Sequence, residues 1–146
     1  MKILLDSVNI AHKRLKRLPM KPDGTYLFDD VHVHAHFLIN SNELTSLVGS
    51  PAIVNGEFNC SWNFLETLEG APRRVGAFLC QFNLIQNLKG SPEQVEGDFV
   101  CRDCELYSLE GATKVVYGNF FCAGNNRTFS KSDVSEVCDV RGRIYV

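Results

Sequence analysis

Three histidines, His32, His34 and His36, alternate with Val31, Val33, Ala35 and Phe37. On a strand they share one face, because successive side chains point to opposite sides. Imidazoles spaced this way bind zinc, nickel or copper. No acidic or thiol ligand is clearly placed to complete such a site, although Asp29 and Asp30 stand nearby in sequence. A solvated polar face and a proton-sensitive interface are the alternatives, so no metal is assigned and the three histidines are weak candidates only. Cys60, Cys80, Cys101 and Cys122 recur at regular intervals. Thiols in a line cannot surround one tetrahedral ion, and cysteine packs as a small hydrophobe, so they read as core. Cys101-x-x-Cys104 has the spacing of half a metal knuckle but lacks a second pair. Lys13, Arg14, Lys16 and Arg17 could touch phosphates, but four charges without interleaved aromatics fit a solvated face better than a nucleic-acid footprint. No Ser-His-Asp order, phosphate loop or carboxylate pair stands out. The expectation is a non-enzymatic protein without a cofactor.

The elements that must position these residues are repeats. Phe37, Phe58, Phe78, Phe99 and Phe120 are 21, 20, 21 and 21 residues apart. Two positions after each stand Ile39, Cys60, Cys80, Cys101 and Cys122; three further on stand Asn42, Asn63, Asn83, Cys104 and Asn125. Leucine or isoleucine columns, then Gly49, Gly70, Gly90 and Gly111, then Pro51, Pro72 and Pro92 complete a consensus V-x-G-x-F-x-C-x-x-N-x-L-x-x-L-x-G-x-P. Phe and Cys, two apart on a strand, both face the core. The Asn amide can bond backbone groups of the neighbouring repeat where the chain turns inward. Gly and Pro break regular structure on the return, favouring an extended or polyproline-like path. One repeat cannot bury its apolar side alone; stacking makes a continuous core. The predicted core comprises Phe58, Cys60, Leu65, Leu68, Phe78, Cys80, Leu88, Phe99, Cys101, Leu106, Leu109, Phe120 and Cys122.

The run F-x-C-x-x-N-x-L resembles the leucine-rich-repeat signature, with Phe and Cys in two of its leucine columns. The short period and the L-x-x-L-x-G-x-P return resemble the short bacterial class of these repeats. Units such as Asn42–Leu47 and Ser108–Ala112, and the opening Pro22-Asp23-Gly24-Thr25-Tyr26, look like small repeat proteins of bacteriophage and prophage genomes. The resemblance spans roughly residues 22–126. It implies a right-handed, mainly β solenoid with one parallel sheet of about five or six strands. It also implies a binding module of viral origin, acting in the host bacterial cytoplasm, and it supplies no catalytic residue.

The ends depart from the repeat. Val8, Ala11, Leu15 and Leu18 recur at helical spacing, with Asp6 or Ser7 available as cap, which predicts a short helix closing the first rung. Thr25–Phe28 and 31–40 read as strands around Asp29-Asp30. At the other end, 132–137 reads as one helical turn and 141–146 as a last strand shielding the final rung. The 146 residues thus read as a single domain: cap 1–30, repeats 31–126, cap 127–146. Seventeen acidic against fifteen basic residues give a net charge of −2, an ordinary soluble balance. No apolar run approaches the ~18 residues a membrane helix needs. Six cysteines without a secretory signal suit a reducing cytoplasm. Residues 1–36 carry 6 basic and 4 acidic groups, and residues 37–146 carry 9 and 13.

If Phe and Cys point inward, their strand neighbours point out. One outward column is Leu38, Asn59, Leu79, Val100 and Phe121, flanked by Glu57, Asp98 and Arg102 among others. Trp62 and Phe82 occupy one position on successive rungs, with Phe64 and Leu84 just beyond the intervening Asn. A contiguous apolar stripe with aromatic anchors reads as a partner-binding surface. The alternative is that the rings fold over the rim and pack on neighbouring rungs. The expected partner is a bacterial host protein, such as a defence or regulatory factor, whose inhibition would be a natural use. A self-associating assembly protein, joined through an end strand or the stripe into a homodimer or larger array, is the alternative function. Metal or nucleic-acid binding ranks below both.

Overall fold

A computed structural model describes residues 1–146. The chain coils through seven stacked rungs, each using two strand positions joined by a bend. In order these are β1 (Lys2–Leu4) with β2 (Val8–Asn9), β3 (Val31–Val33) with β4 (Phe37–Leu38), β5 (Ile53–Asn59) and β6 (Arg74–Leu79), each of which runs through both positions, β7 (Gln94–Val95) with β8 (Phe99–Val100), β9 (Val115–Val116) with β10 (Phe120–Phe121), and β11 (Asp139–Val140) with β12 (Ile144–Tyr145). Every strand pair is parallel, and the register is kept within each strand position, with one shift between Val54 and Glu57 where β5 meets β6: Leu4, Val33, Val54, Val75, Val95, Val116 and Val140 align in one column. Val8, Phe37, Phe58, Phe78, Phe99, Phe120 and Ile144 align in the other. This is a mainly β repeat solenoid.

The five Phe rings form a column with centroids 5.1–5.7 Å apart and are fully buried. Phe28 meets its N-terminal end edge-on at 4.9 Å. Every residue of the predicted core is buried. The bend between the two strand positions needs glycine for a steric reason: a Cβ on Gly118 would lie 2.6 Å from the carbonyl oxygen of Gly97 one rung away.

The asparagine ladder forms as the sequence predicts. Asn63 Oδ1 accepts from the N–H groups of Asn42 and Leu44 on the preceding rung, and its Nδ2 donates to the carbonyls of Ile39 and Cys60. Asn42, Asn83 and Asn125 repeat the pattern. Each side chain satisfies backbone groups that the inward turn would otherwise strand in the interior. Where Cys104 replaces Asn, its Sγ reaches only the Cys80 carbonyl, at 3.3 Å.

The predicted helix over 8–18 is absent; the only helix is α1 (Lys131–Ser135), which overlaps the predicted turn at 132–137 and starts one residue earlier, with a Ser130–Asp133 capping box at its N-terminus. Residues 1–22 instead form a complete first rung. Val8, Ile10, Leu15, Leu18 and Pro22 repeat the spacing of Phe58, Cys60, Leu65, Leu68 and Pro72, and Lys13 and Leu15 donate their N–H groups to the ladder residue Asn42. The helical reading fails because rung 2 offers these backbone groups parallel partners that an isolated segment would lack. Thr25–Phe28 is not a strand; only Met20 and Tyr26 form an isolated antiparallel bridge there. The segment 31–40 breaks into β3 and β4 at the bend.

Candidate functional site

The outward column is assembled by the register just described. Leu38 pairs with Asn59, then Leu79, Val100, Phe121 and Tyr145, each on the next strand. Leu38, Asn59, Leu79, Val100 and Phe121 are half-buried. Tyr145 was missing from the sequence reading and extends the stripe, stacking on Phe121 at 4.6 Å. Its signal was present: Ile144-Tyr145 repeats Phe120-Phe121 in alternation.

The residues just before the core Phe are not all free to meet a partner. Ser7 Oγ accepts from His36 N–H, His36 Nδ1 from Glu57 N–H, Asp98 Oδ1 from Asn119 N–H, and Asn119 Oδ1 from Arg143 N–H, at 2.8–3.1 Å. This is a second ladder, on the outer side of the bend. It ties Asp98 and His36 into the backbone. Glu57 contributes its N–H to that ladder and a carboxylate oxygen to Asn59 Nδ2 at 3.1 Å.

The second ladder also bears on the histidine face. His36 holds a backbone hydrogen with Nδ1, while His32 and His34 lie together with ring centroids 4.4 Å apart, and His32 Nε2 contacts Asn55 Oδ1 at 2.9 Å. No three His, Cys, Asp or Glu side chains converge as a metal-holding group. The six thiols are buried and unpaired. Burial pushes Cys104, Cys122 and Cys138 up to about 11, and drives Cys60, Cys80 and Cys101 higher still. They are packing groups, inert as nucleophiles near neutral pH.

The corner between the outward column and the Asn ladder carries the most unusual chemistry. The residue before the ladder position, which holds Asn on four rungs, Cys104 on one and Lys13 on the first, takes left-handed backbone on all six: His12, Ser41, Trp62, Phe82, Asp103 and Gly124, with φ between 52° and 72°. Gly124 adopts this freely, and Ser41 and Asp103 are small and polar. Trp62 and Phe82 are bulky, and left-handed backbone costs such residues about 1–2 kcal/mol each. Trp62 is nevertheless 57% exposed, so stacking on Phe82 rather than full burial offsets that cost. The two rings stack with centroids 4.0 Å apart and planes 15° from parallel. Arg102 places its guanidinium 5.3 Å from the Phe82 centroid and pairs with Asp103 at 2.8 Å. Phe64 and Leu84 are exposed beside the stack. Gln81, next to Phe82, keeps its Oε1 buried without a hydrogen-bond partner. Backbone strain, an orphaned acceptor and an exposed indole thus concentrate at one corner, the pattern that functional surfaces show.

Parallel rungs, an asparagine ladder and one continuous core define a repeat solenoid of the leucine-rich-repeat-like kind, a scaffold consistent with a protein-interaction module. Comparison with protein-family models, with curated proteins and with solved structures returns no match. No helix is long and apolar enough to cross a membrane.

Proposed function

We propose that this chain is a non-enzymatic protein-binding module. In this reading it is a small bacteriophage-encoded protein that binds a bacterial host protein, such as a defence or regulatory factor, in the host cytoplasm. The contact face runs from the outward column Leu38, Leu79, Val100 and Phe121 to the corner formed by Trp62, Phe82 and Arg102. The observation that carries the reading is the backbone-strained Trp62–Phe82 stack beside that column, with Trp62 exposed, since aromatic and Arg side chains at an interface centre supply most binding energy. The residue resemblance described above supports the viral and host assignment. The test is capture from bacterial lysate by tagged wild type and by a Leu79→Glu/Phe121→Glu variant, followed by reconstitution with the purified partner. Retention by wild type and loss by the folded variant is the expected result. A partner held equally by both would place the contact elsewhere.

Self-association is the second reading, favoured by one observation. Ile3 and Leu5 on the first rung are 56% and 72% exposed beside the free edge of β1. An uncovered strand edge with apolar side chains pairs readily with another copy. Light scattering distinguishes the two: a dimer or larger array that Leu5→Lys disperses supports assembly, and a monomer removes it.

A further inference from the structure

We infer that the Trp62–Phe82 ladder receives an arginine side chain of the protein partner, with Glu43 as its counter-charge. The inference rests on the protein-binding reading above and names the chemistry of what is bound.

The ladder has two ends, and one is already occupied by the kind of group proposed for the other. At the Phe82 end, Arg102 lies over the ring and bonds to Asp103. At the Trp62 end, one rung back, the corner residue is Ser41 and the residue aligned with Arg102 is Asn40, neither of which carries a cation to the indole. The chain's three cation–π contacts lie over Phe82, Phe129 and Tyr117, leaving Trp62 uncapped. Tryptophan is the most favourable ring for a cation.

The surroundings select charge and shape. Glu43 stands two residues beyond Ser41, at the position Phe64 takes on the next rung and Arg14 on the rung before, and it enters none of the chain's five ion pairs, with Arg14 or any other cation. Phe64 packs alongside this rung through the bond from its N–H to the Leu44 carbonyl, offering an apolar wall for a side-chain stem. Beyond Leu84, a shallow depression of about 370 Å³ is lined by Glu66 and Glu105, also unpaired. Unpaired carboxylates flanking exposed rings suit a basic, apolar segment. A guanidinium meets the demand better than an ammonium, because its plane stacks on indole while its edge bonds a carboxylate.

Trp62 is the only tryptophan in the chain, so its fluorescence reports the site directly. The experiment selects short random peptides against the immobilised full chain, then titrates each selected peptide while following Trp62 emission. The expected result is enrichment of arginine. Replacing that arginine by citrulline, which keeps the shape and removes the charge, should weaken binding about tenfold. Glu43→Gln should weaken it several-fold and erase most of the difference between arginine and citrulline. Arg102→Gln, at the far end of the ladder, should change affinity less than Glu43→Gln does. Melting curves confirm that each variant is folded. Selection of no peptide, absence of arginine enrichment, or equal binding of the citrulline forms overturns the inference. The protein-binding reading falls separately, if lysate capture yields no partner sensitive to the Leu79→Glu/Phe121→Glu change.

Discussion

The interior column and the corner column of this solenoid obey opposite rules. In the interior, Phe recurs on five successive rungs and Cys on four, all buried, because each side chain meets its own kind above and below. At the corner, the backbone repeats just as faithfully, with left-handed φ on six rungs, yet the residue changes every time: His12, Ser41, Trp62, Phe82, Asp103, Gly124. Packing dictates the first column. The second is dictated only in its backbone, so its side chains are free to serve another purpose. Two of them are bulky aromatics that stack on each other in left-handed backbone.

The contrast can be broken from the interior outward. Cys80→Asp should abolish cooperative folding, because it buries a charge among Phe and Leu side chains with no partner. A sharp thermal transition in that variant would contradict the inward register. Asn63→Leu comes next. It leaves the N–H groups of Asn42 and Leu44 without their acceptor, while the carbonyls of Ile39 and Cys60 keep Asn42 and Asn83 as donors, which should cost roughly 3 kcal/mol in urea unfolding.

The thiols give a pH test of the same core. Unfolded, they ionise near their ordinary value of 9.0; folded, burial holds Cys104, Cys122 and Cys138 to about 11. Above pH 9 the unfolded chain loses protons that the folded chain keeps, so stability should be insensitive to these groups below pH 9 and fall between pH 9 and 11. Denaturation midpoints across that range check the sign, and native protein should resist thiol alkylation at pH 8.

Smaller effects probe the ladder and the corner. Cys104→Asn should stabilise by about 1 kcal/mol, since an amide oxygen at that position can accept backbone hydrogens as Asn63 does, whereas the thiol reaches only one carbonyl. Trp62→Gly should alter stability least, within about 1 kcal/mol, as relief of left-handed strain offsets the lost stacking. It should nevertheless remove partner binding. A large loss of stability in Trp62→Gly would turn the corner into a packing element and erase the contrast with the interior.

The ends show where local pattern misleads. Val8, Ala11, Leu15 and Leu18 fit a helix, but Val8, Ile10, Leu15 and Leu18 fit a rung equally well. The decisive step was obscured by the segment before β3, which stretches the interval from Val8 to Phe37 to 29 residues. At the other end, the Ser130–Asp133 capping box is a local device, and α1 overlaps the turn at 132–137 that its sequence suggests. Segments whose hydrogen bonds close within themselves were legible; those whose partners lie a rung away were ambiguous. The candidate face divides likewise. The stripe from Leu38 to Phe121 followed from alternation alone, whereas Asp98 and His36 looked available until the second ladder engaged them.

The amino-acid sequence by itself determined the period, the inward identity of Phe and Cys, and the Asn ladder, because a repeat restates the same packing requirement on each rung until it becomes unmistakable. Tertiary structure decided the first rung, the outer ladder and the stacking of Trp62 on Phe82. Each of these depends on which backbone and which ring stand one rung away, a distance of twenty-odd residues along the chain but only 4.0 Å between those two rings.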